Sequence, residues 1–386
     1  MGVNSLSVQW RAVGKRVRGV SHVQSGKPCQ DAVDWWEQEG VAALVVADGH
    51  GSDRSPRSDV GAAFAVDVAL NALRSLHANS DLALANLRAL KHLADEQLPR
   101  LLVRDWRDRV LAHHAATVAT TPTTLPEGAE GAVPTDPAGP ADEPVSGLGV
   151  PAASADARRP CADARRPCAD AAQEPDLTPG MRLSSNPAGL RSFALPTVPG
   201  CVAEGRVRLP PNRSSSGSPP APEAGDVLVQ YGSTLLTVLA GPEVLLFLQL
   251  GDGDILVVAD DGTVTRPMPE DSRLMANETT SLCTVDAWRE IRVALYPLVE
   301  GAPALILLAT DGYANSFVSE QDFLRVGPDY LQAIREEGLA AVASRLDEWL
   351  ADASTQGSGD DITLGIVARS DVAEGAQHGL KEGAPS

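Results

Sequence analysis

The chain has 386 residues, 43% of them hydrophobic, enough for one large core with extras or for two domains. Its 51 acidic residues against 32 basic leave a net charge of -19, which argues against a nucleic-acid surface, because that needs clustered Lys and Arg. No stretch is long and apolar enough to span a membrane, and residues 1–10 lack the basic-then-apolar pattern of a secretory signal. The cysteines (Cys29, Cys161, Cys168, Cys201, Cys283) are odd in number and scattered, fitting neither a disulfide framework nor a Cys-x-x-Cys zinc site. A reduced, cytoplasmic protein is the expectation.

Residues 6–19 alternate well enough for a strand or hairpin, and Gln30-Asp31 precedes a second candidate strand. Residues 41–47 are a continuous apolar run with the β-branched content of a buried strand. It ends in Asp48-Gly49-His50-Gly51, where a carboxylate and an imidazole emerge together between glycines that let the backbone turn and approach a ligand. An isolated Asp-Gly is normally only a turn, so the rest of the chain must decide its meaning. Residues 59–77 read as a helix, with Val60, Phe64, Val68 and Leu76 at helical spacing. Ser80 or Asp81 can cap a second helical stretch through Leu82, Leu87, Leu90 and Leu93, which Pro99 kinks or restarts before Leu102, Trp106 and Val110.

Composition changes near His113. Residues 114–223 are rich in Pro, Ala, Gly and Ser without a sustained apolar period, so they are expected to be a disordered insertion. The seven-residue tandem repeat at 155–168 is too short for a solenoid. Strands are expected at 233–240, 244–250 and 255–259, with Asp260-Asp261-Gly262 turning into 263–265. Another buried strand, 304–309, ends at Thr310-Asp311-Gly312. Ser319 can cap a helix, helical segments follow at 330–336 and 339–350, and residues 362–368 form a final strand. Residues 371–386 are expected to be a disordered tail. The order suggests an α+β fold of stacked antiparallel sheets with helices outside.

The recurring feature is Asp at strand ends: Asp31, Asp48, Asp252, Asp311, Asp360 and Asp361, most of them beside Gly. Carboxylates converging on one rim repel each other unless a cation neutralises them. Oxygen ligands of this kind favour Mg²⁺ or Mn²⁺ over zinc. Asp252-Gly253-Asp254 begins like a calcium loop, but Leu256 stands where the next acidic ligand is required. Nucleophile-elbow, Walker and dinucleotide signatures are absent.

Six motifs in order, Gln30-Asp31-Ala32, Ala47-Asp48-Gly49-His50-Gly51, Gly232-Ser233-Thr234, Leu250-Gly251-Asp252-Gly253, Ala309-Thr310-Asp311-Gly312 and Gly359-Asp360-Asp361-Ile362-Thr363, resemble the metal-dependent type 2C (PPM) serine/threonine protein phosphatases. Ser21-His22, Pro28-Cys29 and Asn277-Glu278-Thr279-Thr280 resemble a divergent bacterial branch. The resemblance covers residues 8–113 and 224–370. It implies a four-layer α-β-β-α sandwich with a catalytic domain split by the insertion, and two Mg²⁺ or Mn²⁺ ions at one end. By motif match Asp48 would bridge the metals, the Gly49 carbonyl would bind one, and Asp311 and Asp360 would complete the other. Asp31 would hold a metal-bound water, Asp252 would be a candidate ligand for a third, weaker metal, and His50 would be the general acid. Asp361 stands where the family often has Asn.

Two departures matter. Gln30 replaces a common Glu, and a neutral amide oxygen is a weaker metal ligand than a carboxylate. Gly26 replaces the phosphate-gripping Arg, leaving His22 and Lys27 as candidates for that role. The implied activity is hydrolysis of phosphoserine and phosphothreonine by in-line attack of a metal-bridging hydroxide, without a phosphoenzyme. The substrate would be a phosphoprotein, the target of a bacterial Ser/Thr kinase. The alternatives are a pseudophosphatase that binds phosphoproteins or metal with little turnover, and a hydrolase of small phosphoesters.

Overall fold

The computed structural model describes residues 8–79, 82–120, 224–268, 280–299 and 301–375. Among the described residues, ten strands form two five-stranded antiparallel sheets. One sheet runs β1 (Trp10–Val17), β10 (Ile362–Arg369), β9 (Leu305–Ala309), β6 (Asp254–Val258), β7 (Val264–Thr265). The other runs β2 (Ala32–Gln38), β3 (Val41–Ala47), β4 (Leu235–Ala240), β5 (Val244–Leu250), β8 (Arg292–Pro297).

The unbroken apolar runs follow from burial of both faces of each central strand. In β3, Ala42, Leu44 and Val46 point between the sheets, where they meet Leu236, Phe247, Ile306 and Leu308. The alternate residues Ala43, Val45 and Ala47 face outward against Ala65, Ala69, Leu73 and Trp106 of the helices Ser58–Asn79 and Leu98–Thr120. On the opposite side, Leu305, Leu307 and Ala309 of β9 pack under Ile334, Val342, Leu346 and Leu350 of the helices Val326–Glu337 and Leu339–Gln356. The result is the expected α-β-β-α layering. Among the described residues no helix is long and apolar enough to cross a membrane.

Several boundaries differ from expectation. The second helical stretch passes through a 3₁₀ turn (Leu84–Asn86), an α-helix (Leu87–His92) and a π-helical turn (Leu93–Gln97). Pro99 then sits second in Leu98–Thr120, where its missing N–H costs least and the chain restarts. That helix continues past 113 to Thr120, because its last turns have polar partners. Arg57 Nη1 donates to Thr117 Oγ1 (2.9 Å) and Tyr231 Oη (2.8 Å) and lies 3.3 Å from His114 Nδ1. His113 Nδ1 also meets Tyr231 Oη at 2.9 Å. At the other end, Ser370–Ala373 is a short helix with Val372 buried, so the fold extends past the expected start of the tail at 371. The edge strand β8 was not anticipated, since its residues are only half-buried and lack clean alternation. Ser319 does cap a helix, its hydroxyl accepting from the Asp322 N–H. Ser80, Asp81, the repeat, Cys161, Cys168, Cys201 and Asn277 to Thr279 lie outside the described residues.

Replacing residues 121–223 with a short Gly-Ser linker is expected to preserve one cooperative thermal transition. Removing 114–223 instead strips the His114 and Thr117 contacts and should lower Tm by about 4–8 °C more, at ~1 kcal/mol per lost hydrogen bond. Equal melting of the two deletions by calorimetry would show that the last turns of the helix contribute nothing.

Candidate metal centre

Antiparallel register brings the Asp-bearing strand ends to one end of the sandwich. Ala32 pairs with Ala47, placing Asp31 beside Asp48. Asp254 and Leu364 both pair with Ala309, so the turns carrying Asp252, Asp311 and Asp360 adjoin. Asp48 is fixed through its backbone: its N–H donates to Thr234 Oγ1 (3.0 Å) and its carbonyl accepts from the Thr234 N–H (2.8 Å). Gly49 bridges to Ser233, and a Cβ at Gly49 would lie 2.8 Å from the carbonyl oxygens of Gln30 and Ser58. Only glycine lets the three segments close this tightly. The next N–H, of His50, donates to the Gly232 carbonyl at 3.1 Å.

These turns surround a cavity of about 220 Å³ lined by Asp48, Gly49, His50, Asp252, Asp311 and Asp360, with His22, Gln30, Gly51, Thr234 and Asp361 completing the wall. Asp31 is not on the wall. It is buried behind Asp48, with its Oδ2 accepting from the hydroxyls of Thr310 (2.9 Å) and Thr363 (2.7 Å). Burial pushes the Asp31 carboxyl up to about 7, against the pull of those hydroxyls. Burial also raises Asp48 well above the usual carboxylate range, with the charges of Asp31 and Asp311 adding to it. Asp311 is raised for the same first reason, with Asp252 and Asp360 opposing its ionisation. Asp48 and Asp311 thus oppose each other's ionisation across the cavity.

Asp361 is used differently. Its Oδ1 accepts from the Gly19 N–H and its Oδ2 from the Gln30 N–H, both at 2.6 Å. His22 Nδ1 lies 2.9 Å from the same Oδ2, at ion-pair distance but without hydrogen-bond alignment. Lys27 is not on the cavity wall; its Nζ donates to the Gly51 carbonyl at 3.0 Å.

The donor set suits a hard divalent cation. It is rich in carboxylate oxygen, its charges are destabilised where they stand, and two buried wall atoms, Gln30 Oε1 and His50 Nε2, have no hydrogen-bond partner. Among the described residues no three His, Cys, Asp or Glu side chains are already drawn together as a cage. Water and neutral oxygens, such as the Gln30 amide, would therefore complete any coordination.

Thr234, Thr310 and Thr363 were not singled out from sequence as site residues, although each stands inside one of the Asp- or Gly-bearing motifs. A hydroxyl beside a strand end has no spacing signal of its own.

Residues 18–129 and 219–351 match the family described as Protein phosphatase 2C, more than half of the chain. The chain belongs to the type 2C protein phosphatase family. No curated protein sequence matches it. Among solved structures, this type 2C chain is similar to the serine/threonine phosphatase Stp1 from Staphylococcus aureus, at 11% identity over 95% of this chain and 99% of that one, with a TM-score of 0.45. It is similar at 15% identity to PppA of Pseudomonas aeruginosa, over 94% of this chain and 98% of that one (TM-score 0.44). It is similar at 13% identity to the catalytic domain of the phosphatase PstP, solved with two manganese ions, over 94% of this chain and 98% of that one (TM-score 0.43).

The raised carboxyls set a direction for pH dependence. A carboxyl whose folded pKa exceeds its unfolded value stabilises the fold at low pH and loses that contribution as pH rises through the folded value. Asp260 and Asp371 have the opposite sign, held down by hydrogen bonds from Arg369, but their contribution is complete above the ordinary carboxylate range. Chelator-treated type 2C chain should therefore lose Tm between about pH 4.5 and 7, and Mg²⁺ or Mn²⁺ should restore most of it at pH 7. A flat or rising Tm over that interval in chelator would contradict the carboxyl assignment.

Proposed function

We propose that this type 2C chain is a metal-dependent protein serine/threonine phosphatase, a phosphomonoesterase acting on phosphoprotein targets of a Ser/Thr kinase. The observation that supports it is the cluster of mutually destabilised carboxylates at one end of the sandwich, facing two buried polar atoms without partners. Asp48, the Gly49 carbonyl, Asp311 and Asp360 are the residues to hold two Mg²⁺ or Mn²⁺ ions. Gln30 is a neutral contributor, and Asp252 a ligand for a weaker third ion. Bound there, the cations would acidify water and offset charge on the phosphoryl oxygens.

The chain's own groups then divide the work. Asp31, anchored by Thr310 and Thr363 behind Asp48, backs the wall that orients the attacking water. Having given one proton to solvent, the water oxygen forms the new bond to phosphorus as the bond to the seryl or threonyl oxygen breaks in line. The leaving alkoxide takes a proton from His50. Burial lowers the His50 pKa while the nearby Asp252 charge opposes that shift, leaving a ring able to give up its proton.

The test is hydrolysis of a phosphothreonine peptide and of a nitrophenyl phosphate, each with Mn²⁺ and with chelator. Turnover is expected only with metal, and Asp48→Asn should reduce it about a hundredfold or more. His50→Ala should slow the peptide by about 10²–10³-fold but the nitrophenyl ester far less, because nitrophenolate leaves without a proton. Equal losses on both substrates would remove the acid role. Absence of metal-dependent turnover in the unmodified chain would leave a phosphoprotein- or metal-binding regulator in its place.

A further inference from the structure

The wall is crowded with carboxylates, and among the described residues lining it the side chains that can carry positive charge are His22 and His50. A phosphoryl dianion entering such a pocket needs a cationic or N–H grip besides any bound metal, or it meets net repulsion. Gly26 offers none: it stands in a left-handed turn (φ 74°), and a Cβ built on it meets nothing within 4 Å. Lys27 is spoken for by Gly51, with Asp53 4.0 Å away. His50 is assigned to the leaving group.

His22 is held in a way a surface histidine is not. Its helical turn, Val20–Ser25, is tied to the Asp360 loop by the Ser21 N–H and hydroxyl, both donating to the Gly359 carbonyl (2.9 and 2.7 Å). Gly19, just before it, packs so closely that a Cβ would lie 2.3 Å from the Asp360 carbonyl carbon. Arg18 Nη2 donates to the His22 carbonyl at 2.8 Å. The ring's Nδ1 is buried against Asp361 Oδ2, and the side chain lines the cavity. Asp361 is itself immobile, because two backbone N–H groups hold its oxygens. A buried carboxylate packed against one side of an imidazole restricts its orientation.

We propose that His22, clamped by Asp361, is the side chain that grips the substrate's phosphoryl group in this chain, doing with one imidazole N–H what a guanidinium fork would do with two. Asp361 is its positioning residue. The proposal rests on the phosphatase reading for its kinetic consequences, but phosphate binding tests it independently. One hydrogen bond to a charged oxygen replaces a bidentate pair, so this enzyme grips phosphate less tightly and is less inhibited by its product than an arginine-bearing one.

The experiment uses the full chain loaded with Mg²⁺ and titrated with inorganic phosphate, following histidine ring signals by NMR, with phosphoester kinetics in parallel. Phosphate is expected to shift the His22 ring signal, identified by its loss in His22→Gln. His22→Ala and His22→Gln should weaken phosphate binding and raise KM by about tenfold, with kcat changed by less than about threefold. Asp361→Asn, whose amide oxygen still accepts a backbone N–H, should give a smaller rise of about threefold in both constants. Unchanged phosphate affinity and KM in folded His22→Gln, even with a lower Tm, would reduce the pair to a structural tie and overturn the proposal. A phosphate response lost on Lys27→Ala but kept in His22→Gln would do the same. If the unmodified chain binds phosphate through His22 but shows no turnover, the phosphatase reading fails while the grip stands.

Discussion

Crowding of carboxylates at the dry end of a double sheet is the constraint around which the rest of this molecule is arranged. Asp31, Asp48 and Asp311 sit where water is scarce, and each is easier to protonate than in solution because burial penalises its charge. The fold offsets part of this at Asp31, where threonine hydroxyls from two different strand ends converge on the carboxylate. The remedy is partial, and it leaves a site whose electrostatics improve when positive charge arrives. Local destabilisation here is the counterpart of ligand affinity.

The sandwich makes that crowding possible by fixing register. Because both faces of β3, β4 and β9 are buried, a one-residue slip would carry each strand's inter-sheet residues into the helix-facing layer and the reverse. Register is therefore set by two cores at once, and the turns that follow the strands inherit its precision. Backbone hydrogen bonds do the rest: Asp48 to Thr234, Gly49 to Ser233, His50 to Gly232. The side chains of the centre stand on backbone anchored in a rigid lattice rather than on free loops.

Much of this was legible in the chain. The long apolar runs announced buried strands because period-two patterning disappears when both faces are covered. Asp beside Gly at strand ends announced a rim of carboxylates, since few other arrangements use that pairing repeatedly. What was not legible has specific causes. β8 is an edge strand with one half-exposed face, so its residues carry no clean period. The helix beyond His113 persists because Arg57 and Tyr231, distant in sequence, satisfy its polar side chains. A composition change at 113 reports local preference and is blind to such partners. Likewise, nothing in Asp360-Asp361 says how the two carboxylates of this wall divide their roles. The first lies in the exposed turn, while the second turns inward to collect the N–H groups of Gly19 and Gln30.

That inward turn has a consequence for how the site is built. Asp361 joins three things: the start of β10, the turn that carries His22, and the backbone of Gln30 next to Asp31. An asparagine at this position could accept one N–H with its oxygen, but its amide nitrogen would face the second N–H donor to donor. A carboxylate satisfies both donors and still presents charge to the imidazole. The carboxylate therefore ties these three segments together at one point, with the His22 ring packed 2.9 Å from its Oδ2.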